Sequence, residues 1–104
     1  MKTFVMVTRL APEHMDPVDV ANTLKDRANG GQAWQDEIKK KCPQVKFLAH
    51  YALLGTYDFM DIYEAPDEEI AARVSLITRG NGAFTVESWP AIPSSRMSGI
   101  VRDL

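Results

Sequence analysis

The chain has 104 residues, a single Cys, and 14 acidic against 12 basic side chains, a formal charge of -2. That length holds one domain with a core of its own, the near balance of charge argues against a nucleic-acid binder that relies on bulk charge, and one Cys cannot close an internal disulfide. The first apolar stretch is too short for a signal peptide, and no window reaches the roughly 18 apolar residues of a membrane span, so the expectation is a cytoplasmic protein with no membrane partner.

Residues 3–9 (Thr-Phe-Val-Met-Val-Thr-Arg) are β-branched, aromatic and apolar on both parities, which predicts a central strand covered on both faces. Asp16-Pro17 then reads as an N-cap followed by the first helical position. Val18, Ala21, Leu24, Lys25 and Ala28 follow at helical spacing, an apolar stripe with a Lys able to snorkel. Asn29-Gly30-Gly31 is expected to interrupt this helix, because two glycines lower helix propensity. Trp34, Ile38 and Cys42 resume the stripe, Lys39 to Lys41 suit a helix C-terminus, and Pro43 stops it.

Val45 to Leu54 is a second predicted strand and Tyr57 to Glu64 a third, joined at Gly55-Thr56 by a two-residue turn of the type that needs φ > 0 at Gly55. Asp67 is the predicted N-cap of a second helix, with Glu68 and Glu69 in its first turn and Ile70, Ala71, Val74 and Ile77 on its apolar face. Gly80-Asn81-Gly82 closes that helix. Ala83 to Trp89 is the fourth strand, broken by Pro90 and Pro93. The order βαββαβ predicts a ferredoxin-like α+β sandwich: a four-stranded antiparallel sheet with both helices on one face. The domain is expected over residues 1–93, with 94–104 as a C-terminal tail or docking arm. In that tail Met97, Ile100, Val101 and Leu104 recur at spacings of three and four.

Counting outward from the turn pairs His50 with Asp61, Tyr51 with Met60, Ala49 with Ile62 and Leu48 with Tyr63. Alternation then divides the hairpin. Val45, Phe47, Ala49, Tyr51, Met60 and Ile62 are assigned to the helix-covered face. Leu48, His50, Ala52, Leu54, Tyr57, Phe59, Asp61 and Tyr63 are assigned to the other. That second set is too apolar for a solvated sheet, so it is expected to pack against a second copy of the chain and enclose a small cavity.

Leu54-Gly55-Thr56-Tyr57-Asp58-Phe59-Met60-Asp61-Ile62-Tyr63-Glu64-Ala65-Pro66-Asp67 resembles the GYD-domain family, whose hairpin reads Gly-x-Tyr-Asp before an apolar strand and Glu-Ala-Pro-Asp at a helix start. The resemblance covers roughly residues 3–90 and implies a dimeric α+β barrel. The family motif residues are Gly55, Tyr57 and Asp58. This hairpin also looks like that of the amino-acid-sensing domain of Lrp/AsnC-type regulators, although the chain has no room for their helix-turn-helix. Other proteins of the superfamily are small oxygenases, isomerases and haem-handling enzymes, so the resemblance leaves binder and enzyme both open.

The expected ligand-binding residues are Leu48, His50, Tyr57, Phe59, Asp61 and Tyr63. His50 and Asp61 are the catalytic candidates, a general base oriented by a carboxylate. The plainer reading of that pair, and the preferred one, is a cross-strand hydrogen bond that satisfies two polar groups. Tyr57 and Asp58 read first as turn chemistry, with Asp58 accepting backbone hydrogen bonds. His14 sits in a loop. Two His and one Cys lack metal-ligand spacing, so no metal or other cofactor is expected. Cys42 reads as a buried structural thiol. The leading expectation is a homodimeric small-molecule-binding or regulatory module. The alternatives are a small cofactor-independent enzyme of the oxygenase or isomerase type, and a structural interaction module without a ligand.

Overall fold

The computed structural model describes residues 1–10 and 17–104, with side chains throughout except at 17, 19, 20, 23, 24 and 26–30. The elements run β1 (Lys2–Arg9), α1 (Pro17–Lys41), β2 (Lys46–Ala52), β3 (Phe59–Ala65), α2 (Glu68–Gly80), β4 (Thr85–Ala91), a 3-10 turn (Ser94–Arg96) and α3 (Met97–Arg102). The strands form one antiparallel sheet in the order β2-β3-β1-β4, with β1 and β3 in the centre. That order is the ferredoxin-like sandwich.

The core lies between the helices and one face of the sheet. Phe4 and Met6 of β1 and Tyr63 and Ala65 of β3 meet Trp34, Ile38 and Cys42 of α1 and Ala71 and Val74 of α2. Tyr63 stacks on Phe4 with centroids 5.6 Å apart and tilts against Phe47 at 5.8 Å. Its hydroxyl is 3.5 Å from the Ala71 carbonyl. Thr78, fully buried on α2, ties the layers together. Its hydroxyl donates to the Val74 carbonyl at 2.7 Å and accepts from Trp34 Nε1–H at 2.9 Å. Thr78 is not part of the predicted apolar face of α2, because a Thr at helical spacing beside Ile77 carries no apolar signal.

Asp67 caps α2 as expected, accepting from Ile70 N–H at 2.9 Å. At the other end Gly82 adopts φ 99°, a left-handed conformation that suits glycine after a helix. The expected break at Asn29-Gly30-Gly31 is absent: α1 is one helix of 25 residues. Packing of Trp34 and Ile38 on the sheet stabilises the second half of α1 by several kcal/mol, more than the roughly 1 kcal/mol per glycine lost in propensity. The first half departs from its predicted stripe, since Val18 and Ala21 are exposed. The predicted Asp16 cap and His14 lie outside the described residues. β4 continues through Pro90 to Ala91, which an edge strand tolerates because one side of its backbone is unpaired.

Two features correct the predicted hairpin. β2 and β3 end before the turn, and Gly55 does not have positive φ. The loop 53–58 is instead drawn onto the end of β1. Asp58 N–H donates to the Thr8 carbonyl and Arg9 Nε–H to the Thr56 carbonyl, at 2.8 and 2.9 Å. The second feature is an irregularity between Phe47 and Ala49 that leaves Leu48 as an unpaired bulge residue, half exposed. The pairs His50–Asp61, Tyr51–Met60 and Ala49–Ile62 form as counted, but the counted pair Leu48–Tyr63 does not: beyond the bulge it is Phe47 that faces Tyr63.

Independently of both, the faces are exchanged along most of the hairpin, because the helices cover the other set of side chains. Val45 and Phe47 do pack on the core. His50, Phe59, Asp61 and Tyr63 lie on that same helix-covered side, while Ala49, Tyr51, Met60 and Ile62 lie on the uncovered side. The extra residue at Leu48 lets Phe47 and His50 share a face despite their opposite parity. The uncovered face is still apolar. Val5, Met60, Ile62, Tyr51 and Trp89 come together there, and Tyr51 and Trp89 remain 55% and 47% exposed. No helix among the described residues is long and apolar enough to cross a membrane.

Candidate functional site

A cleft of about 90 Å³ opens between α1 and the helix-covered side of the sheet. Thr8, His50, Phe59 and Asp61 come from three strands, and Gly31, Trp34 and Gln35 from α1. β2 and β3 place His50 opposite Asp61, and the Nδ1–H of the imidazole donates to Asp61 Oδ1 at 2.5 Å. The two environments differ. Asp61 has 3% of its side chain exposed and His50 50%, so the carboxylate is the fixed partner and the ring the reachable one. The imidazole is held flat: it stacks on Phe59 at 5.2 Å with the planes 13° apart, and Trp34 flanks it at 6.3 Å. With Nδ1 committed to Asp61, Nε2 is the nitrogen left to meet a ligand or a proton.

The cleft thus combines a buried carboxylate, an oriented imidazole, a hydroxyl, an amide side chain and two aromatic walls. Such a mixture suits a small polar molecule with a flat or apolar part. Among the described residues no group of three or more His, Cys, Asp and Glu side chains comes together in the manner of a metal site. Behind the cleft, burial pushes the Tyr63 hydroxyl up to about 12, opposed by its hydrogen bond to Ser88 and reinforced by Asp61 and Cys42. Ser88 in turn shares a 2.5 Å hydrogen bond with Ser75 of α2.

Of the expected ligand-binding residues, His50, Phe59 and Asp61 line this cleft. Leu48 does not, because the bulge turns it outward. Tyr63 does not, because it is closed within the core. Tyr57 lies in the loop before β3, with the Arg9 guanidinium 5.8 Å from its ring centroid. The motif Asp58 holds the loop in place, since its Oδ2 accepts the Leu10 N–H at 2.7 Å, just beyond the end of β1. Trp34, Gln35, Gly31 and Thr8 were missed as cleft residues. Trp34 was legible only as part of an apolar helix stripe, and no local pattern says that its indole also flanks an imidazole from another element.

The GYD domain family matches residues 4–101, which takes in the cleft, the loop with Asp58 and nearly all of α3. The chain belongs to the GYD domain family. A Thermus thermophilus relative, described as a glutamine synthetase and cystathionine beta-lyase binding protein, is 30% identical over 93 residues, covering 89% of this chain and 90% of its own length. Among solved structures, an FFRP protein superposes with a TM-score of 0.51 at 15% identity, covering 88% of this chain and all of its own. A hypothetical protein from Pyrococcus horikoshii reaches a TM-score of 0.48 at 15% identity over 92% of this chain and 95% of its own. The FFRP likeness bears on the fold alone.

Proposed function

We propose that this GYD-family chain is a homodimeric binding and regulatory module that holds a small polar ligand in the α1 cleft and grips a partner enzyme. The observation that carries the reading is the uncovered sheet face with Val5, Tyr51, Met60, Ile62 and Trp89. An apolar face of this kind is characteristic of an interface rather than of a solvated sheet. A second copy presents the same face, and a two-fold axis lets each copy cover the face of the other. Sheets pack in this way about 10 Å apart.

The cleft then lies on the far side of each sheet, accessible in the dimer. Its His50–Asp61 pair supplies a hydrogen-bonding pole and Trp34 and Phe59 an apolar wall. The description of the Thermus relative as a binding protein for two enzymes supports a role in gripping enzymes rather than in turnover. Two measurements test the reading. Sedimentation of the full chain at 10–100 µM is expected to give twice the 11.6 kDa chain mass. Surface plasmon resonance against glutamine synthetase and cystathionine beta-lyase from the same organism is expected to show binding to at least one. A monomer at 100 µM refutes the dimer, and silence from both active enzymes refutes the enzyme-binding role.

A second reading has one observation in its favour. A carboxylate that orients an imidazole at 2.5 Å is also the arrangement of a general base, as a cofactor-independent isomerase or oxygenase would use. Turnover of a candidate substrate that is abolished by His50→Ala, with the fold intact by circular dichroism, decides for it.

A further inference from the structure

The cleft between α1 and the sheet contains two features that the chain itself does not use. The first is a hydroxyl. Thr8 is 2% exposed and lines the cleft, yet its Oγ1 has no hydrogen-bond partner among the described residues. No side-chain polar atom of those residues is both sealed from solvent and unpartnered. The Thr8 hydroxyl therefore opens into the cleft, where it can donate to an occupant. The second is a glycine. Gly31 is helical with no positive φ, and an added Cβ would meet nothing within 4 Å. Glycine is the poorest helix former after proline, and neither backbone conformation nor packing calls for it here. What a side chain at 31 would take up is room in the cleft that Gly31 lines.

The sheet sets the spacing of the polar groups. His50 faces Asp61 and Asp61 faces Met6, while Thr8 faces Phe59, so Thr8 and His50 stand two strands and two residues apart. At about 4.8 Å between strands and about 3.3 Å per residue, their Cα atoms are about 12 Å apart. Phe59 stands on the strand between them, its ring stacked on the imidazole. An occupant that meets both ends needs two polar atoms rather than one.

The chemistry at each end follows from its partners. With Nδ1–H given to Asp61, the neutral ring presents Nε2 as an acceptor, so the occupant brings an N–H or O–H to that end. The Thr8 hydroxyl donates at the other end, so the occupant brings an acceptor there. Charge narrows the class further. No Lys or Arg among the described residues lines the cleft, and Asp61 lies behind the imidazole with 3% of its side chain exposed. A carboxylate would face that like charge and bring no donor to Nε2, and an ammonium would find Oδ1 already engaged by His50. A benzene-sized guest fills about 150 Å³, so a cleft of about 90 Å³ takes the head of a molecule and leaves its body at the mouth.

We propose that the cleft selects an uncharged, planar carboxamide or lactam: its N–H donates to His50 Nε2, its carbonyl accepts from the Thr8 hydroxyl, and its flat body passes Gly31 with Trp34 and Phe59 as walls. This rests on the reading of the cleft as a ligand site and adds the class of ligand. It does not depend on the dimer.

The test is an NMR titration of the full, isotopically labelled chain with three probes of one shape: benzamide, acetophenone and benzoate. Acetophenone keeps the carbonyl and puts a methyl where the amide has its N–H donors. Benzoate keeps the plane, removes the donors and adds a charge. Benzamide is expected to shift the amides of Thr8, Gly31 and His50 with a Kd on the order of 1 mM, as befits so small a probe. The other two are expected to bind about tenfold more weakly or worse. Thr8→Val keeps the shape and removes a hydroxyl that nothing in the described chain uses. It should leave the urea midpoint unchanged and weaken benzamide about tenfold. Gly31→Leu suits the helix and fills the cleft, so it should keep the wild-type circular dichroism and lose the benzamide shifts. Acetophenone or benzoate binding as tightly as benzamide at the same amides overturns the amide class and leaves the cleft a ligand site. Wild-type affinity in Thr8→Val or in Gly31→Leu overturns the placement, as do benzamide shifts confined to residues outside the cleft. Silence from all three probes at about 10 mM removes the cleft as a ligand site and the proposal with it.

Discussion

Replacing the motif carboxylate tests what the Gly-x-Tyr-Asp loop does. Asp58 Oδ2 accepts the Leu10 N–H at 2.7 Å, and Leu10 is only 6% exposed. The backbone of Asp58 adds two further bonds at 2.8 Å, from Leu53 N–H to its carbonyl and from its own N–H to Thr8. Asp58→Ala removes only the side-chain bond. The Leu10 N–H then loses a charged acceptor in a place where water reaches poorly. A hydrogen bond to a charged group contributes roughly 1.5–3 kcal/mol, and a buried donor stripped of its partner costs a similar amount, so the expected loss is about 2 kcal/mol. For a chain of this size each kcal/mol moves Tm by about 4–8 °C, which predicts a fall of roughly 8–16 °C. Asp58→Asn keeps a neutral acceptor and is expected to lose about half as much. Calorimetry at one fixed protein concentration, with urea midpoints at unchanged slope, measures both, and the Leu10 amide should exchange faster in the Ala variant. A loss under about 0.5 kcal/mol for Asp58→Ala refutes the clamp. Equal damage from Asn and Ala refutes the assignment of the effect to the acceptor.

Three other substitutions probe the layers around the cleft. Thr78→Val takes from Trp34 Nε1–H the acceptor it has at 2.9 Å and should lower stability by about 1–3 kcal/mol in urea unfolding, whereas Thr78→Ser should stay within about 1 kcal/mol of wild type. Gly31→Ala should raise stability by about 0.5–1 kcal/mol, because Gly31 is helical and an added Cβ meets nothing within 4 Å. It also adds a methyl to a residue that lines the cleft, so thermal unfolding should improve while any ligand found for the cleft binds differently. Tyr63 governs an alkaline limb. Its hydroxyl, pushed up to about 12, keeps its proton in the folded chain where the unfolded chain, near 10, has released it. Its contribution is therefore complete below pH 10 and is lost as pH rises towards 12, by at most about 3 kcal/mol. Urea unfolding across that range should show a shallower decline in Tyr63→Phe than in wild type.

Much of the chain was legible before its structure. The element order followed from apolar periodicity and from local punctuation, such as Asp67 before Glu68-Glu69 and Pro43 after the lysines, and each of these acts within a few residues. The pair at the centre of the cleft was legible too, because pairing in a hairpin is a matter of counting, and His50 does face Asp61. Counting survived even though the turn itself was misread. The loop opens because Asp58 bonds to the end of β1, a partner some fifty residues away that no turn rule includes.

What the sequence determined by itself was local: the helices and strands, the caps, the cross-strand partners and the family motif. The tertiary structure alone decided which side of the sheet those partners occupy. Alternation with a period of two separates side chains into two sets, but it is symmetric and does not say which set the helices cover. Phe4, Met6 and Tyr63 settled that by packing against Trp34, Ile38 and Val74, and the bulge at Leu48 let Phe47 and His50 join the same side. The same packing carried α1 through its two glycines and brought Trp34 from a helix stripe to the wall of the cleft. Each of these outcomes depends on contacts between residues far apart in the chain, where the burial of large side chains outweighs what any short stretch prefers.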